Sequence, residues 1–316
     1  MRRPFSIISP IRDWNLGEVE LVDGVRVVKA PSQEELDLSF FPSLSRRELE
    51  RIHEREYWLA YECEEPQTEA ELEAEKDRVR RCAYGLQIVR PTGWDGILVK
   101  RQGHAGAWRT YGLEQPPSCE PTRWAHTAGF GTHGLKDIRT IIAGVNRAFA
   151  EKIVRFQTPI QLLIEGLKGR NFVVQMLLWC IALDALLVAE KEVVFERRLI
   201  GFLGADTFIF PFGERGHQPP YTVAELAGEL YKLRNIIAHG YEMPRRYQEK
   251  VGFDIVATVC PAANMKWPYQ RRQLLSEASL FLLCAVLRWI FEKDLIDLVK
   301  KSKRWKNYLD GLGAQA

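Results

Sequence analysis

The sequence predicts a mainly α-helical protein in two parts, a smaller α+β domain over residues 1–130 and a helical bundle over residues 131–316. Two observations support this division. Short apolar runs bounded by glycine and proline dominate the first part, whereas every long segment after residue 135 places apolar side chains at helical spacing. The segment 114–134 contains three prolines and three glycines, which is typical of a loop or linker, so the boundary is predicted near residue 130.

The predicted N-terminal domain begins with a β-hairpin. Residues 18–30 alternate apolar and polar side chains around Asp23-Gly24, which is a common hairpin turn. Two helices are predicted next, over residues 44–61 from a serine cap and over residues 66–82 from early glutamates and late arginines. Short apolar runs then predict three strands, at residues 83–91, 96–102 and 107–114.

The C-terminal part contains apolar residues at helical spacing in segment after segment, which predicts a bundle of about five helices. The segments are 135–156, 158–169, 172–189, 191–204, 222–240 and 274–299. The stretches 208–221 and 241–270 between them are predicted to be irregular. The most apolar segment, 172–189, contains Gln175 and Asp184, and these polar residues favour a buried core helix over a membrane span.

Composition narrows the class of protein without identifying a function. The 316 residues are 46% hydrophobic and 27% charged, with a formal net charge of +3, which is too mild to predict nucleic-acid binding by itself. The N-terminus lacks the apolar region and cleavage site of a signal peptide. The cysteines form no C-x-x-C pair, so we expect reduced structural thiols and a cytoplasmic protein without a cofactor. They are Cys63, Cys82, Cys119, Cys180, Cys260 and Cys284.

One segment carries residues suited to catalysis, the end of the predicted helix 222–240. It reads LYKLRNIIAHG and contains Arg234, Asn235 and His239. Asn235 and His239 are four residues apart and share a helix face. An imidazole can move protons near neutral pH, a guanidinium can bind and stabilise a phosphate, and an amide can orient either group. These three side chains are therefore candidates for a metal-independent site that cleaves RNA by attack of its 2′-hydroxyl.

The segment and the preceding helix LLWCIALDALL resemble the HEPN superfamily, most closely its ApeA-like domains. The resemblance covers about residues 135–300 and rests on two motifs, an Ala-Leu-acidic-small-Leu core at residues 182–186 and a Leu-Arg-Asn followed by His-Gly at residues 233–240. It implies a homodimer whose two Arg-to-His motifs face each other across a cleft and form a ribonuclease site. Some members are toxins or nucleases of anti-phage defence, and others are non-catalytic modules that bind nucleic acid or a partner protein. Residues 1–130 resemble no family.

Structural roles compete with the catalytic ones. Arg234 can pair with an acid such as Glu229 or Asp184, His239 can interact with the helix dipole, and Asn235 can form a hydrogen bond between helices. Asp184 lies within an apolar run and needs a partner, for which Arg234 is a candidate. A structural scaffold that assembles into a larger oligomer is a third possibility beside the enzyme and the binding module.

Three further patterns are weaker. Arg47 precedes His53 by six residues, close to the five between Arg234 and His239, but this pair lacks the asparagine and the glycine of the main motif. Cationic residues near the motif and around Trp305 suit single-stranded RNA, although a solvated helix end explains the C-terminal group equally well. They are Arg245, Arg246, Lys250, Arg271, Arg272, Lys300, Lys301, Lys303, Arg304 and Lys306. His104, His126 and His133, with Cys119 nearby, lack the spacing of a metal site, so no metal is predicted.

Overall fold

The protein is mainly helical, with a small antiparallel sheet near its N-terminus, as the sequence predicts. Its contacts divide it into two compact units, residues 1–151 and residues 152–316. This division falls later in the chain than residue 130, because the helix that begins at Leu135 packs within the first unit. The structure, a computed structural model, describes residues 4–12, 14–31, 50, 52–91, 96–102, 108–114, 134–168, 172–207, 222–238 and 266–314.

The described part of the first unit contains six strands and two helices. The strands are β1 (Pro4–Ile11), β2 (Val19–Glu20), β3 (Arg26–Lys29), β4 (Tyr57–Glu64), β5 (Ile97–Gln102) and β6 (Trp108–Glu114), and the helices are α1 (Glu69–Val89) and α2 (Leu135–Ala150). The strands form one antiparallel sheet in the order β2-β3-β4-β1-β5-β6. The predicted hairpin is confirmed by the pairing of β2 with β3, and Asp23 and Gly24 both have positive φ angles in its turn.

The centre of the sheet is β1, which is buried from Phe5 to Ile11. Ile7 lies opposite Tyr61 of β4 on one side and Val99 of β5 on the other. Because β4 and β5 both run antiparallel to β1, they run parallel to each other, and α1 supplies the crossover between them. This arrangement covers one face of the sheet with a helix and gives the unit a two-layer core.

Two sequence predictions in this unit are wrong. Residues 57–61 form a strand rather than the end of a helix, because Trp58 and Leu59 are buried between neighbouring strands. Residues 83–89 continue α1 rather than form a strand, because Val79, Cys82 and Leu86 lie on one buried helical face. In both places tertiary packing, rather than the local sequence pattern, decides between helix and strand.

The described part of the second unit contains seven helices and fits the predicted helical bundle. They are α3 (Val154–Lys168), α4 (Phe172–Leu187), α5 (Glu192–Leu203), α6 (Val223–Ala238), α7 (Lys266–Glu292), α8 (Ile296–Lys300) and α9 (Ser302–Gly313). The most extensive helix packing joins α3 to α4, where a side chain on Gly166 would collide with the indole of Trp179. Within the described ranges, no helix is both long and apolar enough to cross a membrane.

Three predicted helix boundaries in the C-terminal part are corrected. The segment 135–156 is not one helix, because the chain turns at Lys152, whose φ is +52°, before α3 begins. The segment 274–299 is likewise interrupted at Asp294, with φ +48°. Its helix begins at Lys266, so residues 266–270 are helical rather than irregular.

Candidate functional site at the end of helix α6

Helix α6 begins with a capping box formed by Thr222 and Glu225. The Thr222 N–H donates to the Glu225 carboxylate at 2.8 Å, and the Glu225 N–H donates to the Thr222 hydroxyl at 3.3 Å. Val223, Leu226 and Leu230 are buried at helical spacing and attach the helix to the bundle. The local sequence therefore fixes both the start of α6 and the face it buries, and with them the position of Arg234 in its last turns.

Arg234 makes two hydrogen bonds that hold its guanidinium in the bundle. Its Nη2 donates to the Asp184 carboxylate on α4, and its Nη1 donates to the Asn235 Oδ1 at 2.6 Å. The predicted need of Asp184 for a partner is thus met by Arg234. A guanidinium has five N–H donors, and these two bonds use two of them. The side chain of Arg234 is 21% exposed, so it is anchored by the bundle and still reaches the surface.

Aromatic side chains support the same guanidinium. The Arg234 Cζ lies 5.2 Å from the centre of the Tyr231 ring, within the range of a cation–π contact. Tyr231 is buried, and its ring centre lies 5.2 Å from that of Phe195 on α5. Sequence reasoning did not find this support, although Tyr231 precedes Arg234 by three residues and must share its helix face.

The Asp184–Arg234 pair lies in a mostly desolvated environment. The Asp184 side chain is 14% exposed, and its Oδ1 is buried without a hydrogen-bond partner among the described residues. Burial raises the pKa of Asp184 above its ordinary value, and the attraction of Arg234 acts in the opposite direction. Burial also raises the pKa of the neighbouring Cys180 thiol to about 12, which makes that thiol a structural group rather than a nucleophile.

Asn235 lies beside Arg234 with its Oδ1 engaged by the guanidinium. Its amide nitrogen has two N–H donors. The side chain is therefore better suited to donate a hydrogen bond to another group than to accept one from that group. His239 and Gly240 follow the last residue of α6 and lie outside the described residues, as do Arg245, Arg246 and Lys250. Of the three predicted site residues, the structure therefore places Arg234 and Asn235 together and describes nothing of His239.

The aromatic residue of the C-terminal cationic group is not available for stacking. Trp305 is fully buried, and its indole N–H donates to the Leu186 carbonyl oxygen at 2.8 Å. Trp305 therefore presents no ring to a nucleic-acid base, because α9 places it in the core. The cations that flank it, Lys301, Lys303, Arg304 and Lys306, are exposed, as on a solvated helix.

The other candidates from the sequence fall mostly outside the described residues. Cys119, His104, His126 and His133 belong to this group, and the side chains of Arg271 and Arg272 do as well. Among the described residues, no group of three or more His, Cys, Asp or Glu side chains is placed to bind a metal ion.

No family model, curated protein or solved structure matches this chain. The resemblance to HEPN domains thus rests on the two motifs in the sequence.

Proposed function

We propose that this chain is a metal-independent endoribonuclease of the HEPN type that acts as a homodimer. The observation that carries the proposal is the anchoring of Arg234, five residues before His239 in the sequence, by Asp184 and Asn235. A cation that must stabilise a transition state works best when it is held in place before the substrate arrives. Arg234 meets that requirement while part of its guanidinium stays exposed.

The proposed reaction is a transesterification at phosphorus. The 2′-oxygen of the RNA forms a bond to phosphorus, and the bond from phosphorus to the 5′-oxygen breaks. His239 of one subunit removes the 2′-hydroxyl proton as general base, and a protonated His239 of the partner subunit delivers a proton to the leaving 5′-oxygen. The products are a 2′,3′-cyclic phosphate and a free 5′-hydroxyl. Arg234 binds the phosphate and stabilises the added negative charge, and Asn235 orients these groups or donates to a phosphoryl oxygen.

The homodimer is part of the proposal because one motif supplies only one histidine. The resemblance to HEPN domains implies two motifs across a cleft, which would bring two imidazoles to the same phosphate. It also suggests a toxin or anti-phage defence setting, which we include in the proposal. The solution mass of the full chain tests the dimer independently of catalysis.

A non-catalytic module is the second candidate, and a specific observation favours it. The Arg234 guanidinium already binds Asp184 inside the bundle, as a purely structural arginine would. In that case the motif would stabilise the fold, and the surface around it would bind nucleic acid or a partner protein. The two candidates differ in whether His239 is required for cleavage.

The test compares cleavage of an end-labelled RNA pool by the wild type and by His239→Ala, both in EDTA. We expect EDTA-resistant cleavage with cyclic-phosphate ends by the wild type and its loss in the variant, with an unchanged unfolding curve. His53→Ala is the matched control. It removes the histidine of the second Arg-to-His pair, Arg47 and His53, and should leave cleavage unchanged. Equal cleavage by wild type and His239→Ala would contradict the proposal. Binding of RNA without cleavage would favour the module.

A further inference from the structure

The C-terminal end of α4 is held by side chains from two other helices. The carbonyl oxygen of Leu186 accepts from the Trp305 indole at 2.8 Å, and those of Leu187 and Val188 accept from Arg198 Nη1 at 2.7 and 2.6 Å. The last carbonyls of a helix have no partner within the helix. Here α5 and α9 supply those partners, while the chain leaves α4 through Val188 at a φ of +50°.

Arg198 is itself held in place by α9. It is 2% exposed, and its Nη2 donates to the Asp310 Oδ1 at 2.7 Å. A buried guanidinium is tolerated only when it is paired, and a cation at the C-terminal end of a helix also interacts favourably with the helix dipole. Arg198 in turn holds the pKa of Asp310 below its ordinary value. Asp310 and Trp305 thus secure the end of α4 from the same helix, and we name Arg198, Trp305 and Asp310 the α4 clamp.

The last turn of α4, which the α4 clamp holds, contains Asp184. The Ala189 N–H donates to the Asp184 carbonyl oxygen at 3.3 Å, which ties the residue after the helix back to it. The Asp184 carboxylate binds Arg234 on α6. A continuous series of bonds therefore runs from Asp310 through Arg198 and the end of α4 to Asp184 and Arg234.

We propose that the α4 clamp positions Asp184 and, through it, the guanidinium of Arg234, so that helix α9 controls the geometry of the candidate site. Its effect on cleavage rests on the proposed function, whereas its effect on the two helices does not. Arg198, Trp305 and Asp310 are positioning residues in this proposal, since they act through Asp184 and do not touch the RNA.

The test uses the full-length protein with Asp310→Ala, which removes the partner of Arg198 at a side chain that is 44% exposed. Asp297→Ala is the matched control, because it removes the same charge from a more exposed side chain on α8. Trp305→Phe, which removes the bond to Leu186 and retains an aromatic ring, is a second variant. Hydrogen exchange is followed at residues 184–189 and 231–238, and kcat and KM are measured for RNA cleavage.

In Asp310→Ala we expect exchange at both segments to become about fivefold faster, the change that corresponds to about 1 kcal/mol for a partly exposed ion pair. We expect kcat to fall about threefold with KM unchanged, since the cation is misplaced in the transition state. Asp297→Ala should resemble the wild type.

Faster exchange at 184–189 alone would overturn the proposal, because the effect of the α4 clamp would then not reach Arg234 on α6. Unchanged exchange at both segments would overturn it as well. If the wild type cleaves RNA and kcat stays unchanged while both segments loosen, the clamp does not position the site. If the wild type does not cleave RNA, the proposed function fails, and the exchange at 231–238 still decides whether α9 is coupled to Arg234.

Discussion

The carboxylate of Asp184 on α4 binds the guanidinium of Arg234 on α6, fifty residues later in the chain. Both side chains lie mostly inside the bundle, with 14% and 21% of their surface exposed. A pair of this kind is expensive to break from one side, because removing one partner leaves the other charge desolvated and unpaired. The pair therefore joins two helices. Through the same contact, Asp184 holds the guanidinium of Arg234, which is the candidate catalytic cation.

Removal of Arg234 should raise the pKa of Asp184 further. Burial already raises it, and the attraction of Arg234 is the main opposing effect, so Arg234→Leu leaves burial unopposed. An NMR titration of the Asp184 carboxyl group measures the change. Lys232→Leu is the control, since Lys232 binds Glu192 at 2.8 Å instead. An equal shift in both variants would mean that Arg234 has no particular role in the ionisation of Asp184.

The raised pKa of Asp184 also predicts how stability depends on pH. A carboxyl group that binds its proton more tightly in the folded state favours folding below its folded pKa and loses that contribution as the pH rises through it. Relative to Asp184→Asn, the free energy of unfolding of the wild type should fall as the pH rises from the ordinary aspartate range, about 4, to the folded pKa. Denaturant titrations at several pH values measure the difference. A difference that grows with pH would show that pairing with Arg234 outweighs burial.

The sequence predicted elements well where one signal decided the structure. The end of the predicted helix 191–204 at Gly204 and the hairpin at Asp23-Gly24 are local, and both are present. It failed where tertiary contacts decided between two periods. Residues 57–61 form a strand because the sheet buries Trp58, and residues 83–89 stay helical because α1 lies against the sheet and α2.

The candidate site was predictable only in part. An acidic residue in an apolar run must find a partner, which pointed to Asp184 and Arg234. The support by Tyr231 and Phe195 depends on the packing of α5 against α6, and the burial of Trp305 depends on the turn of the chain after α8. Such long-range packing leaves little trace in a single sequence.

The packing of α3 against α4 makes Gly166 intolerant of a side chain. An ideal Cβ there would lie 2.2 Å from the Trp179 Nε1, whose N–H donates to the Leu163 carbonyl oxygen at 3.1 Å. Gly166→Ala should lower the free energy of unfolding by about 1–3 kcal/mol, since the indole must move. Gly311→Ala is the matched control, because a Cβ there meets nothing within 4 Å. It should stabilise α9 by up to about 1 kcal/mol. Equal effects of the two substitutions in thermal unfolding would contradict this packing.

Helix α2 should behave as part of the first unit. Arg139 donates to the Glu20 carbonyl oxygen at 3.1 Å, Asn146 donates to Asp23 at 2.6 Å, and a Cβ on Gly85 would lie 2.7 Å from Ile142. A fragment of residues 131–316 therefore carries an uncovered apolar face on α2 and should aggregate more than a fragment of residues 152–316. Light scattering at matched concentrations measures the difference. A fragment 131–316 that is more stable and no more aggregated would assign α2 to the bundle.

Arg234→Lys tests whether the candidate site needs a guanidinium or only a positive charge. Lysine keeps the charge but loses the planar arrangement of donors that lets one side chain bind Asp184, Asn235 and a phosphate together. We expect kcat for RNA cleavage to fall about 100-fold, since one preorganised donor to a developing charge is worth that much. Lys232→Arg, an exchange of the same kind two residues earlier, should leave kcat unchanged. Arg234→Lys with wild-type kcat would show that a point charge is enough and that the bonds to Asp184 and Asn235 serve the fold alone.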